Sequence, residues 1–265
     1  MGTHKLKGGI VKKIILFCFI LSAISLSCYG QATKKSIIDP SATRIPNCVM
    51  YLKFDEGANS PTYDNSGNGN NGTFPLLVSA RPTWHTGDNS CVFGSALEFD
   101  GSDDYLSVDT LISYPNGKGC ISYGCWVKFY SSSEIQIIGW WYNQNNKIYT
   151  YLNKIFFEVQ AGTRQAVGSN TTLNDGLWHS VIGTYDKNVS ADNVRLYIDG
   201  VLQIMTKTDT GNMNASGDLF GIGAYGSGTD KFFKGAIDNV RIYSRALTPR
   251  EIKAIYQLEK RGKLK

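Results

Sequence analysis

The sequence has little net charge outside its N-terminus and lacks the charge pattern of a nucleic-acid-binding protein. Its 265 residues include 27 lysines and arginines against 22 aspartates and glutamates. Four of the lysines lie in residues 1–30, which leaves 23 basic against 22 acidic residues in the rest of the chain. No basic stripe interleaved with aromatic residues is present, so nucleic acid is not an expected partner.

The motifs of several common enzyme and metal-binding classes are also absent. The sequence has no CxxC pair, no HExxH and no GxSxG, which argues against a zinc site of the usual spacing, a zincin and an α/β-hydrolase. Of its three histidines, His4 lies in the N-terminal segment. His179, in "DGLWHSV", is interpreted as a structural histidine at the start of a strand rather than a catalytic base.

No hydrophobic run is long enough to span a bilayer comfortably. The longest, "IILFCFILSAISL", has thirteen residues, follows several lysines and precedes the small residues of "SCYGQA". This order predicts a secretory signal peptide over residues 1–30, cleaved after Gly30. A lipidated Cys28, which would anchor the protein to a membrane, is the alternative. The expected location is therefore secreted, at a bacterial cell surface, or periplasmic.

The remaining chain is predicted to form a flexible leader, residues 31–47, and one domain, residues 48–265. Four cysteines stay in this part: Cys48, Cys91, Cys120 and Cys125. An even number in an exported protein permits two disulfides in three connectivities. On a straight strand Cys120 and Cys125 lie too far apart to bridge, and a bond between Cys48 and Cys91 is our working hypothesis.

Short alternating segments broken by Gly, Asn, Asp and Ser predict about a dozen strands and hence a β-sandwich. Within "YIDGVL", an Asp-Gly pair between two apolar runs predicts a tight hairpin. One helix is predicted near the C-terminus. Thr248 and Glu251 have the spacing of a capping box, with Pro249 at the first helical position.

One strand, "AIDNVRIY", carries an aspartate on a face that should be dry. Strict alternation places Asp238 on the same side as Val240 and Ile242. An unpaired buried charge costs several kcal/mol or more. Asp238 is therefore expected to have a partner, either a bound cation or an arginine or backbone amides.

Seven segments, in order, resemble a laminin-G-like domain of the concanavalin A-like lectin/glucanase superfamily. They are "YLKFDEG", "DNSGNGNNGTF", "FGSALEFDGSDDYLSV", "GCWVKF", "DGLWHSVIGTYD", "VRLYIDGVL" and "FKGAIDNVRIYSRALTPREI". Each is weak alone, but the ordered set spans roughly residues 48–257. The resemblance implies an all-β, two-sheet jelly roll whose first and last strands lie side by side, with a short C-terminal helix.

The resemblance also implies a structural calcium near the paired terminal strands. Calcium takes six to eight oxygen ligands, which carboxylates and carboxamides supply. On this basis the metal role is assigned to Asp238, and with it to Glu56 of "FDEG" and Asp64 of "DNSGNGNNG".

A ligand site is predicted at "GWWYNQNNK". Sugar-binding proteins stack aromatic rings on the apolar faces of sugars and bind hydroxyls with carboxamides. The predicted ligand-binding residues are Trp140, Trp141, Tyr142 and Asn143. Adjacent tryptophans point to opposite faces of a strand, so only one belongs to the core, and the other is either exposed or packed under a loop. The long insertion carrying Trp84 is expected to overhang the same surface.

Catalysis is not expected. Retaining glycosidases of this fold use two carboxylates on one strand face, and the nearest match is Glu98 with Asp100. Ser102 stands where a third acid would continue the pattern, and Gly101 indicates that the strand turns. The sequence thus predicts a secreted, non-catalytic carbohydrate-binding module that recognises glycans or a cell-surface partner. The alternatives are a protein-binding adhesion module and a glycoside hydrolase or lyase of the same fold.

Overall fold

The computed structural model describes residues 45–58, 61–86, 94–112, 114–130, 135–140, 146–214, 217, 219–225, 228 and 230–262. All of them belong to the second of two compact units, residues 37–265. The strands are β1 (Cys48–Leu52), β2 (Thr83–Thr86), β3 (Ser95–Asp100), β4 (Leu106–Val108), β5 (Cys120–Phe129), β6 (Ile135–Trp140), β7 (Asn146–Tyr151), β8 (Lys154–Gln160), β9 (Arg164–Gly168), β10 (His179–Asp186), β11 (Val194–Ile198), β12 (Val201–Leu202), β13 (Phe220–Ile222) and β14 (Lys234–Tyr243). The helix is α1 (Pro249–Gly262).

The strands form two antiparallel sheets that enclose one large apolar core. The eight-stranded sheet has the order β12-β11-β10-β5-β14-β3-β2, with β1 also paired to β14, and the six-stranded sheet has the order β4-β13-β6-β7-β8-β9. Side chains from both sheets fill the space between them, as alternation along half-buried strands requires. The predicted jelly-roll sandwich with a C-terminal helix is confirmed.

Two local predictions are also confirmed. Asp199 and Gly200 connect β11 to β12 with φ values of 51° and 77°, the left-handed pair that a tight hairpin turn requires. At α1, the Thr248 amide donates to Glu251 Oε2 (2.9 Å) and the Glu251 amide donates to Thr248 Oγ1 (3.3 Å). This reciprocal capping box satisfies amides that the first helical turn leaves open.

The first and last strands lie side by side, as the resemblance implied. Along one edge of β14, β3 pairs with residues 234–237 and β1 pairs with residues 240–243. A bulge separates the two halves of β14, and Asn239 within it has a φ of 53°. The bulge therefore lies where β14 changes its partner on that edge.

Because of this bulge, the prediction that Asp238 shares a face with Val240 and Ile242 is wrong. Ile237, Val240 and Ile242 all enter the main core, which strict alternation cannot produce, because one extra residue inverts the pattern. Asp238 instead lies opposite Trp126 of β5, on the outer face of the sheet. It is fully buried there.

Helix α1 covers this outer face. Its Ile252 and Ile255 pack with Ile182 and Tyr197 of the sheet. The Tyr256 ring stacks on Trp126, with 5.7 Å between ring centroids and an interplanar angle of 23°. In the part of the chain that the structure describes, no helix combines the length and apolar character needed to cross a membrane.

The working hypothesis for the disulfides is wrong. Cys48 and Cys125 are reduced thiols, and Cys48 Sγ donates to the Met50 carbonyl. Cys120 is disulfide-bonded. Cys91, the proposed partner of Cys48, lies outside the described residues. Burial raises the pKa of the Cys125 thiol, so this side chain behaves as a small apolar core group.

Candidate functional site

A cavity of about 500 Å³ lies where the loop between β1 and β2 folds over one edge of the sandwich. Strand β2 ends the eight-stranded sheet and β4 ends the six-stranded sheet, so the loop closes the gap between two sheet edges. The lining residues are Pro61, Thr73, Phe74, Val78, Arg81, Pro82, Thr83 and Trp84. Ligand pockets in proteins have volumes of roughly 300–1,000 Å³, so this cavity has the size of a small-ligand site.

Backbone hydrogen bonds hold the loop in place. The Thr73 amide donates to the Ser107 carbonyl (2.8 Å), and the Ser107 amide donates back to Thr73 (3.1 Å), which ties the loop to β4. Farther along, the Tyr105 amide donates to the Ala80 carbonyl (3.3 Å) at the end of a single 3₁₀ turn, Val78–Ala80. The cavity wall is therefore anchored to strand backbone at two points.

Two aromatic side chains form the apolar wall. Trp84 lies on β2 opposite Leu97 and is half-buried against the core. The Phe74 ring is 6.0 Å from the Trp84 ring at 46°. Aromatic rings that keep part of their surface open provide apolar stacking area, and the threonines of the lining add hydroxyl donors and acceptors.

Arg81 supplies the positive charge of the cavity. Its Nε donates to the Pro75 carbonyl (2.7 Å) and its Nη2 to the Leu76 carbonyl (3.4 Å). Next to it, Leu76, Leu77 and Val78 form an exposed apolar rim, with 96%, 65% and 71% of their surfaces open to solvent. Three consecutive exposed apolar residues are unusual for a surface without a binding role.

The predicted ligand-binding residues are placed differently. Trp140 is fully buried, and its Nε1 donates to the Leu111 carbonyl (3.1 Å). A ring without exposed surface cannot stack on a sugar, so the assignment of Trp140 to the ligand site is wrong. Trp140 is the member of the tryptophan pair that belongs to the core. Trp141, Tyr142 and Asn143 lie outside the described residues. Trp84, predicted only to overhang that surface, lines the cavity instead.

Two of the predicted calcium ligands have local structural roles. Asp64 Oδ1 accepts the amides of Tyr51 (2.9 Å) and Ser66 (2.8 Å), and Oδ2 accepts the Ser66 hydroxyl (2.7 Å) and the Asn70 amide (3.0 Å). Glu56 Oε1 accepts the Tyr63 amide (2.8 Å). Asp64 thus shapes the carboxamide-rich loop after β1 through an Asx-type turn.

The predicted calcium ligands are not part of the one cluster of acidic side chains that the described residues form. Among the described residues, one group of three acidic, histidine or cysteine side chains has ligand atoms within 4.8 Å of one another: Asp100, Asp103 and Asp104. It contains neither Asp238 nor its predicted co-ligands Glu56 and Asp64. Calcium also binds backbone and carboxamide oxygens, so the calcium site at Asp238, Glu56 and Asp64 stays a prediction.

In the acidic turn after β3, the carboxylates accept hydrogen bonds from backbone amides of the same turn. The Asp100 amide donates to Asp104 Oδ2 (2.8 Å), and the Ser102 amide donates to Asp100 Oδ1 (2.7 Å). Burial and the neighbouring carboxylates of Asp100 and Asp103 raise the pKa of Asp104 to about 6. These contacts account for the turn, and we assign no ion to it.

The candidate catalytic carboxylates are not lining residues of the cavity, although Glu98 pairs across the sheet with Thr83, which is one. Glu98 Oε2 is 3.9 Å from His85 Nε2, and Asp100 belongs to the acidic turn described above. Neither residue lines the cavity.

His179 is held between two carboxylates, in agreement with the structural role predicted for it. Its Nδ1 is 2.9 Å from Asp199 Oδ2, and its Nε2 is 3.2 Å from Asp175 Oδ1. Burial disfavours the charged imidazolium, but the hydrogen bonds and charges of Asp199 and Asp175 outweigh it, so the pKa of His179 lies above its usual value.

We expect this raised pKa to make stability depend on pH. Protonated His179 stabilises the folded state fully below its unfolded pKa, and the contribution is lost as pH rises through the higher folded pKa. At pH 6, His179→Gln should cost about 1.5 kcal/mol, because it removes hydrogen bonds between charged groups. Urea unfolding from pH 5 to 9 should show the difference between wild type and variant shrinking with rising pH. A difference in unfolding free energy that stays constant from pH 5 to 9 would contradict the predicted pH dependence.

The fold has relatives of known structure. The binding domain of Paraclostridial Mosquitocidal Protein 1 matches with a TM-score of 0.60 and 15% identity over 79% of this chain and 52% of that one. The botulinum neurotoxin serotype G binding domain matches with a TM-score of 0.59 and 17% identity over 80% and 51%. The chain spans about half the length of these toxin domains.

A third relative matches almost end to end. Domain 4 of AbnA, an extracellular arabinanase from Geobacillus stearothermophilus, solved in complex with arabinotriose, has a TM-score of 0.55 and 20% identity over 80% of this chain and 98% of that one. At these identities the likeness shows the fold alone. No curated protein matches the sequence significantly.

A family model, described as the concanavalin A-like lectin/glucanases superfamily, matches residues 100–253. This match covers more than half of the chain, from the acidic turn after β3 into α1. It agrees with the two-sheet sandwich, the paired first and last strands and the helix packed on the outer face. The chain therefore belongs to the laminin-G-like family of the concanavalin A-like lectin/glucanases superfamily.

Proposed function

We propose that the protein is an exported, non-catalytic module that binds glycans in the Trp84 cavity. The observation that carries the proposal is the cavity of about 500 Å³, with Phe74 and Trp84 as its apolar wall. Stacking of aromatic rings on the apolar faces of sugars needs such a wall. The threonine hydroxyls at Thr73 and Thr83 provide groups for sugar hydroxyls.

The comparisons support a binding role. The relatives with similar folds are binding domains of toxins and a domain of an arabinanase solved with arabinotriose. The same superfamily also contains glucanases, but the carboxylates of β3 lie outside the cavity, which favours binding over hydrolysis. Export is proposed from the charge and apolar pattern of residues 1–30.

A protein ligand is the second candidate. The exposed rim of Leu76, Leu77 and Val78 beside the cavity favours it, since exposed contiguous apolar residues are typical of protein contacts. Replacing Leu76 and Leu77 together by serine tests this alternative. The double variant should weaken attachment to a partner protein and leave glycan affinity unchanged if the cavity is a sugar site.

We expect Trp84→Ala to lower glycan affinity about tenfold or more, since a loss of roughly 1.4 kcal/mol of stacking corresponds to a factor of ten. A glycan array identifies the ligand, and affinity electrophoresis or titration calorimetry then measures the dissociation constant. Tyr130→Ala is the matched control, because Tyr130 is an exposed aromatic residue (65%) that does not line the cavity.

Half-buried Trp84 also packs on the core, so the folded fraction of the variant must be measured by circular dichroism. Trp84→Phe, which keeps an aromatic ring, should bind with intermediate affinity. Unchanged affinity in a fully folded Trp84→Ala protein would remove the cavity as the glycan site.

A further inference from the structure

Among the described residues that line the Trp84 cavity, one side chain is charged and its charge is positive. Seven of the eight described lining residues are apolar or carry a hydroxyl, and the eighth is Arg81. No carboxylate is among these eight described residues. A neutral sugar needs no such charge, whereas an anionic ligand gains from a cation that no lining acid neutralises.

Three of the described arginines pair with carboxylates, whereas Arg81, like Arg195 and Arg250, does not. Arg164 pairs with Glu158 (2.6 Å), Arg245 pairs with Glu251 (2.6 Å), and Arg241 pairs with Glu259. Within the described part of the chain, no carboxylate oxygen lies within 4.0 Å of the Arg81 guanidinium. Its positive charge therefore remains available to a ligand.

The guanidinium of Arg81 is nevertheless held in position. Nε and Nη2 donate to the carbonyls of Pro75 and Leu76, which fixes one side of the planar group. Nη1 makes no hydrogen bond to any described residue. A planar guanidinium that is already oriented loses less entropy when it binds an anion, and it suits carboxylate and sulfate better than an ammonium does.

We infer that the ligand of the Trp84 cavity is an acidic saccharide, with its carboxylate or sulfate on Arg81 and its sugar ring against Trp84. This inference rests on the proposed glycan-binding function and narrows it to one ligand class. The cavity combines an aromatic wall with a single oriented cation, and acidic sugars combine an apolar ring face with a single anion. The two patterns match in chemistry.

The acidic turn after β3 lies beside the loop that carries Arg81 and acts against a bound anion. Tyr105, which follows that turn, donates its amide to the carbonyl of Ala80, the neighbour of Arg81. Asp100, Asp103 and Asp104 do not line the cavity. Salt weakens the repulsion of the exposed Asp100 more than that of the buried Asp104.

The test compares one sugar with and without its charge. Binding of trigalacturonic acid, of its carboxyl-reduced neutral trisaccharide and of a sulfated oligosaccharide is measured by titration calorimetry. The proteins are wild type, Arg81→Gln, Arg81→Lys and the control Arg250→Gln, an exposed arginine on α1. The two acidic probes separate a carboxylate from a sulfate as the recognised anion.

We expect wild type to bind at least one acidic probe about tenfold more tightly than the neutral trisaccharide. Arg81→Gln should abolish this preference while its affinity for the neutral sugar stays unchanged. Arg81→Lys should keep part of the preference for acid, and Arg250→Gln should keep all of it. Melting temperatures close to wild type confirm that the variants are folded.

The outcomes separate the inference from the function on which it rests. Equal binding of neutral and acidic sugars, lost in Trp84→Ala, overturns the acidic-ligand inference and leaves glycan binding standing. A preference for acid that survives in Arg81→Gln also overturns it. Absence of binding to every acidic and neutral saccharide on an array overturns both.

Discussion

Glu259→Ala is expected to lower the free energy of unfolding by about 3 kcal/mol or more, because it leaves the buried Arg241 without its counter-charge. The two side chains are 14% and 7% exposed. An isolated charge in such a place costs far more than a surface ion pair contributes. This is one of the two largest effects that the structure predicts.

Glu259 connects helix α1 to the sheet through more than this ion pair. Its Oε2 accepts a hydrogen bond from Trp126 Nε1 (2.6 Å), while Oε1 accepts from Arg241. The Arg241 guanidinium lies 4.4 Å from the ring centre of Tyr51, on β1. Burial lowers the pKa of Arg241, but the charges of Glu259, Tyr51 and Tyr243 and the hydrogen bond to Glu259 together outweigh it, so the pKa lies well above its usual value. Arg241 therefore stays charged at any ordinary pH.

Urea unfolding followed by circular dichroism measures the loss of unfolding free energy in Glu259→Ala. Gln257→Ala, an exposed change on the same helix, serves as the control and should stay within about 0.5 kcal/mol of wild type. The double variant Arg241→Met/Glu259→Leu should recover much of the stability, because it removes both charges together. A loss below 1 kcal/mol in Glu259→Ala would show that Arg241 is not buried against this glutamate.

Trp140→Ala is expected to destabilise the protein by about 3–5 kcal/mol, the usual cost of truncating a buried tryptophan. The ring is fully buried, with ring-centre distances of 4.7 Å to Phe220 and 5.7 Å to Tyr123. The substitution also leaves the Leu111 carbonyl without its hydrogen bond from Nε1. The cavity created lies between the two sheets, where neighbouring strands cannot collapse into it.

The variants Trp140→Ala and Trp84→Ala should therefore separate stability from binding. Trp140→Ala should lower the melting temperature strongly while its folded fraction binds the ligand as wild type does. Trp84→Ala should lose affinity with a smaller effect on melting. A stable Trp140→Ala protein that has lost its ligand would return Trp140 to the binding site.

The sequence alone determined the features that depend on neighbouring residues. The Asp-Gly hairpin at Asp199 needs only two residues that accept left-handed φ, and the capping box at Thr248 needs only a hydroxyl and a carboxylate three positions apart. The order of the strand segments predicted the sandwich for the same reason, since alternation and turn residues are local signals. These predictions were confirmed.

Tertiary structure decided the features that depend on which strands meet. The bulge at Asn239 exists where β14 passes from β3 to β1, and no local pattern shows that two strands will share one edge. Asp238 accordingly lies on the opposite face from the one predicted. The cavity likewise required a loop to close the gap between two sheet edges, where Thr73 pairs with Ser107 of β4. Register and loop closure join residues far apart in the chain, so local periodicity carries no information about them.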